Sequence, residues 1–78
     1  MPRPQELSLR PVALVAIRKS KGLTQRQLAE ASGCVSPGML AQIETGGRRP
    51  SLANARALAD ALGCAVEDFA TILVGDAA

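Results

Sequence analysis

Apolar residues recur along most of this chain at spacings of three and four, the repeat that gathers them on one face of an α-helix. Each apolar segment is bounded by residues that start or stop helices. The first is expected from about Leu9 to Lys21, with Ser8 as its cap, Pro11 in its first turn and Gly22 as its terminator. The second opens on Thr24-Gln25-Arg26-Gln27, a capping box in which hydroxyl and amide each satisfy a backbone N–H of the other residue. It runs through about Ser32, turns Leu28 and Ala29 inward with Leu23, and stops at Gly33. The third begins at Ser36-Pro37, an N-cap hydroxyl followed by proline at the first helical position. Leu40 and Ile43 share its inner face with Met39 beside them, and Gly46-Gly47 ends it after about Thr45. Arg48-Arg49-Pro50 is expected as an extended basic loop, because a residue before proline avoids the helical region. Ser51 caps the fourth helix, in which Leu52, Ala55, Leu58, Ala59 and Leu62 recur at helical spacing before Gly63. A fifth helix is expected over residues 66–74, with Val66, Phe69, Leu73 and Ala70 inward. No strand and no repeat is expected. The pattern predicts one all-α domain over residues 9–74, a flexible proline-containing arm over 1–8 and a disordered tail over 75–78.

Composition narrows this picture. With 78 residues the chain holds one small domain, of a size that is often marginal alone and commonly helped by oligomerisation. Apolar residues make up 47% of it and aromatics 1%, Phe69 alone, so the core must be aliphatic, which suits short helices better than strands. Two cysteines are too few for a disulfide framework, and the absence of histidine excludes the usual zinc sites. No cofactor or metal is expected. The sequence shows no nucleophile–base pair and no phosphate loop, so it does not read as an enzyme. The longest apolar run, Val12 to Ile17, is too short to span a bilayer, and Met1-Pro2-Arg3-Pro4 lacks the apolar run of a signal peptide. A cytoplasmic protein with reduced thiols and no membrane partner is expected.

Charge adds a direction. The net charge is +2, yet all nine basic residues lie at or before Arg56, with only Glu6, Glu30 and Glu44 to oppose them. Residues 1–56 therefore carry +6 and residues 57–78 carry −4. The first part suits a polyanion and the second does not.

A set of short motifs falls in order along the chain: Gly22-Leu23-Thr24-Gln25, Leu28-Ala29-Glu30, Gly33, Val35-Ser36, Gln42-Ile43-Glu44, Gly46, Arg48, Pro50-Ser51 and Leu58 through Gly63. This set resembles the XRE type of helix-turn-helix domain, the type of Cro and the lambda-like phage repressors, over about residues 10–73. The resemblance implies a five-helix, lambda-repressor-like all-α fold with the helix-turn-helix at residues 24–44. Its partner would be double-stranded DNA, whose major groove, about 12 Å wide, admits one helix. The third helix, about 36–45, would enter it while the second lies across the backbone. The small residues Ala29 and Gly33 are expected to let the two helices approach closely.

The same resemblance places Gln25 on the DNA backbone at the start of the second helix, beside Thr24; Arg48 and Arg49 would grip a flanking phosphate strand, Lys19, Lys21 and Arg26 would add to the field, and Arg26 or Arg48 could reach into the groove instead. It turns Ser36, Pro37, Gly38, Met39, Ala41 and Gln42 toward the bases. Pro37 and Gly38 offer no side-chain hydrogen bond, Met39 and Ala41 offer only apolar contact, and Gln42 is the best remaining reader, since an amide can bond adenine twice. It also pairs Arg18 with Glu44 across the first and third helices. Cys34 is an apparent one-residue insertion in the turn, and Cys64 takes the place of a core valine. The last helix would build a homodimer contact through Phe69, Ile72, Leu73 and Val74, with the surplus apolar residues Val12, Val15 and Ala16 of the first helix as a second candidate surface.

Together these readings describe a sequence-specific, DNA-binding transcription regulator, a repressor acting as a dimer. Phage repressor, restriction–modification controller and antitoxin roles all fit. The alternative is an antitoxin or other protein-interaction module with weak DNA binding and a protein partner.

Overall fold

The computed structural model describes residues 6–73. Four helices form the frame: α1 (Pro11–Ser20), α2 (Gln25–Ser32), α3 (Pro37–Glu44) and α4 (Leu52–Leu62). A single 3-10 turn, Val66–Asp68, follows α4. Strands β1 (Glu6–Leu9) and β2 (Ala70–Leu73) flank this frame in sequence and pair antiparallel, Glu6 opposite Leu73 and Leu9 opposite Ala70.

The local chemistry accounts for the helix boundaries. Thr24, Ser36 and Ser51 each accept a hydrogen bond from the backbone N–H three residues on, which satisfies one of the donors a helix start leaves unpaired. At Thr24 the box is reciprocal: its Oγ1 accepts from Gln27 N–H at 3.0 Å, and Gln27 Oε1 accepts from Thr24 N–H at 2.9 Å. Helices α2 and α4 end on Gly33 and Gly63, at φ of 77° and 71°, a left-handed conformation that costs other residues about 1–2 kcal/mol. Gly33 serves this backbone purpose and not the close helix approach expected of it, since a Cβ there would meet nothing within 4 Å. Ala29, by contrast, is buried.

The core is aliphatic with one aromatic at its centre. Leu14, Leu28, Leu40, Ile43, Leu58 and Phe69 are all fully buried, so every helix and the segment before β2 contribute to one cluster. Ile17, Leu23, Met39 and Cys64 pack on its margin. Burial pushes the Cys64 thiol above its ordinary range, Asp68 adds to the shift and Lys21 opposes it. That shift favours the thiol over the reactive thiolate.

Several expectations need correction. The fifth helix over 66–74 is replaced by the 3-10 turn and β2. The last part of the expected arm, residues 6–8, belongs to β1, so a strand exists where none was expected. Ser8 does not cap α1. The N-cap position is Arg10, which uses no side-chain cap, and the helix starts at Pro11. Phe69 cannot offer a dimer contact, because it is fully buried in the core. Ile72 is half-buried against the same core, and Val74 lies outside the described residues, as do residues 1–5 and the tail.

A residue that drew no attention in the sequence holds this terminal ribbon down. Arg10 N–H donates to the Phe69 carbonyl at 2.8 Å. Its guanidinium donates to the Glu67 carbonyl at 2.7 Å and to Thr71 Oγ1 at 3.0 Å. Sequence spacing could not reveal this clamp, whose partners lie 57 and 61 positions away.

Candidate nucleic-acid interface

Helix α3 is amphipathic over its eight residues. Leu40 and Ile43 are buried, and Met39 packs beside them, half-buried, with its sulfur 3.9 Å from Asn54 Nδ2 at the start of α4. Positions 38, 41, 42 and 45 follow each other at helical spacing. Gly38, Gln42 and Thr45 are exposed on that stripe, and Ala41 is half-exposed. Pro37 is exposed at the helix start, where Ser36 Oγ accepts from Met39 N–H at 3.1 Å. Met39 is therefore held back toward α4, and Gln42 is the long polar side chain on the outward stripe. Thr45 belongs to the same stripe and was missed in the sequence. Its hydroxyl donates to the Gln42 carbonyl at 3.0 Å, which leaves its oxygen to accept. Its spacing of seven from Gly38 was the available signal.

Behind this stripe stands a polar brace. Arg18 Nε and Nη2 donate to Glu44 Oε2 and Oε1 at 2.7 and 3.1 Å, a two-pronged pair, and Nη1 donates to the Leu23 carbonyl at 2.7 Å. The side chains are only 10% and 4% exposed, so the pair is largely shielded from water and salt. Gln25 joins it: its Nε2 donates to Glu44 Oε1 at 2.9 Å. One carboxylate at the end of α3 thus receives donors from α1 and from the start of α2. Gln25 is the contact that sequence spacing did not reveal. Because one amide N–H is committed to Glu44, the side chain is held in a fixed pose with its Oε1 and second N–H left over.

The start of α2 has anion-binding character. Its capping box satisfies Thr24 and Gln27 and leaves the N–H groups of Gln25 and Arg26 to face outward at the positive end of the helix dipole. Arg26 is exposed, with a loose pair to Glu30 at 3.7 Å. Such an exposed pair contributes little and yields readily to another anion. After α3, Gly46 takes φ of 83° and turns the chain into Arg48 and Arg49, both exposed and without an ion-pair partner among the described residues. Pro50 is buried beyond them and anchors that loop. Cys34 is an exposed free thiol in the turn between α2 and α3. No group of residues that could hold a metal ion occurs among the described residues, and no helix there is long and apolar enough to cross a membrane.

Two short helices joined by a turn, the second presenting a polar stripe and both flanked by cationic loops, define a helix-turn-helix domain. Residues 14–69 match the HTH_3 helix-turn-helix family. Solved structures agree. The clp gene regulator ClgR from Corynebacterium glutamicum is 43% identical, with a TM-score of 0.70 over 74% of this chain and 61% of that one. The restriction-modification controller protein C.AhdI from Aeromonas hydrophila is 34% identical, with a TM-score of 0.71 over 74% and 86% of the two chains. An HTH_3 family transcriptional regulator from Vibrio cholerae is 35% identical, with a TM-score of 0.71 over 77% of this chain and 33% of its own. The matched region thus spans less than two thirds of these Corynebacterium and Vibrio chains. A comparison with curated proteins gives no match. The chain belongs to the HTH_3 helix-turn-helix family, whose members are DNA-binding transcription regulators.

Proposed function

We propose that this chain is a sequence-specific transcription regulator that lays α3 in the major groove of double-stranded DNA and acts as a repressor by occupying its operator. The observation that carries this reading is the outward stripe of α3, with Gln42 at its middle, braced from behind by Arg18, Glu44 and Gln25. In this arrangement Gln42 reads a base edge, Thr45 accepts from a neighbouring one, and Ala41 touches a thymine methyl. Thr24, Gln25 and Arg26 meet one phosphate strand at the start of α2, and Arg48 and Arg49 meet the other. Ser36, Pro37, Gly38 and Met39 supply shape and apolar contact only.

Such thin direct readout favours two copies on paired half-sites, with recognition helices about 34–36 Å apart. DNA shape supplies the remaining specificity. The surface for a homodimer is sought at Ile72 and Leu73 on the terminal ribbon or at α1, where Val12 is 83% exposed. The likeness to a clp gene regulator and to a restriction-modification controller protein supports a regulatory role.

The test is fluorescence anisotropy on the chain's own upstream duplex and a scrambled duplex, each at low and physiological salt. Preference for the native duplex that persists at physiological salt is expected. Gln42→Ala should then lose about 1–3 kcal/mol of discrimination at one base pair. Arg49→Ala should weaken both duplexes alike and reduce the salt slope by about one. Equal binding that vanishes with salt would reduce the interaction to phosphate attraction. It would favour the second reading, a protein-interaction module with a partner seated on the exposed Val12 face.

A further inference from the structure

Between β1 and the loop that follows α3 lies an open groove of about 500 Å³, lined by residues 7–9, Pro11 and residues 46–49. Its volume falls within the roughly 300–1,000 Å³ of small-molecule sites. Leu9 and Pro11 supply apolar atoms to a lining that is otherwise largely polar, and Pro11 Cγ closes to 3.9 Å of where a Cβ at Gly46 would stand. Arg48 and Arg49 also line the groove, neither with an ion-pair partner among the described residues. Apolar atoms beside two arginines that lack an ion-pair partner among the described residues suit one chemical class, a small amphipathic anion with a short hydrocarbon body and a carboxylate or phosphate head.

We infer that this groove is an effector site for such an anion, and that occupancy competes with DNA. The competition rests on the DNA-binding reading above, because the arginines that would hold the anionic head are those assigned to a phosphate strand. One guanidinium pair cannot neutralise both. The coupling is reciprocal: whatever factor the anion takes from DNA affinity, DNA takes from anion affinity. Leu9 and Pro11 are assigned no contact with DNA, so the two ligands can be separated by substitution.

Sodium octanoate serves as probe, kept as monomer in solution, with sodium acetate and 1-octanol as controls for head and tail alone. Titration of isotope-labelled full chain without DNA is followed by amide chemical shifts. Shifts centred on residues 7–10 and 46–49 are expected, with octanoate binding at least about tenfold more tightly than either control, as desolvation of its chain predicts. Leu9→Ser should weaken octanoate by at least about fivefold while leaving DNA affinity within about twofold, and its helical circular dichroism should match the parent chain. In anisotropy, octanoate should release bound duplex from the parent chain and fail to do so from Leu9→Ser. Equal binding of acetate and octanoate, shifts centred elsewhere, or octanoate and DNA bound together without mutual effect would each overturn the effector site. The titration needs no DNA, so octanoate bound in the groove of a chain that prefers no duplex would leave the effector groove standing and sink the regulator reading instead.

Discussion

Arg10 and Arg18 stand at opposite ends of α1, and each fastens a distant piece of chain to it by different chemistry. Arg18 is shielded, meets a carboxylate in a two-pronged pair and serves the helix-turn-helix. Arg10 is exposed, meets one carbonyl and one hydroxyl, and serves the ribbon of β1 and β2. Water can replace the partners of Arg10 at little cost. It is largely shut out from Glu44, whose side chain is 4% exposed, so the loss of Arg18 would strand a charge. The helix-turn-helix is braced by a network shielded from water, and the ribbon is held by bonds exposed to it.

The sharpest way to break this contrast is Arg18→Met. Removing one member of a shielded pair is expected to cost about 3–5 kcal/mol in urea denaturation. Replacing both Arg18 and Glu44 by apolar residues should cost clearly less than the sum of the single changes, and a double-mutant cycle that found the two independent would refute the brace. Arg10→Met should cost only about 1 kcal/mol, the worth of ordinary hydrogen bonds. Its signature is local: amide exchange at residues 70–73 should quicken while α2 and α3 keep their protection, and DNA affinity should stay within about twofold. Uniform loss of protection would show that ribbon and helices open together.

The smallest effect falls at the seam between the two regions, where Cys64 feels both Lys21 and Asp68. Its raised folded value means that the native state holds the proton more firmly than the unfolded chain does. The stability this gives is complete below about pH 8.5, where the unfolded thiol titrates, and is lost as pH rises through the folded value. Cys64→Ala should therefore show a flatter decline in stability above that pH than the parent chain, measured by denaturation at matched ionic strength.

The sequence made the helical half legible because its signals are local. A hydroxyl at Thr24, Ser36 or Ser51 finds its donor three residues away, and Gly33 or Gly63 ends a helix by its own backbone freedom. The ribbon was missed for the opposite reason. Each strand has four residues, and Glu6-Leu7-Ser8-Leu9 carries one short alternation that a single proline-containing arm could hide. What makes these segments strands is each other, across most of the chain. The same holds in the candidate site. Gln25 and Thr24 could be placed at a helix start from spacing, but the bond from Gln25 to Glu44 joins two helices and leaves no local trace. Met39 shows the limit of pattern in another way: it lies beside the stripe in sequence, and its contact with Asn54 draws it off.

The pairing of β1 with β2 also fixes an order of assembly. Arg10 and Thr71 meet across 61 positions, and closing a loop of that size costs roughly 3–4 kcal/mol of chain entropy before any contact repays it. Four hydrogen-bonding residues per strand cannot carry that cost, whereas helices form from neighbours and close only short loops. The ribbon is therefore expected to condense onto a helical nucleus formed before it. α1 to α4 would gather their shared core first, and α3 would be in place before residues 6–9 and 70–73 pair.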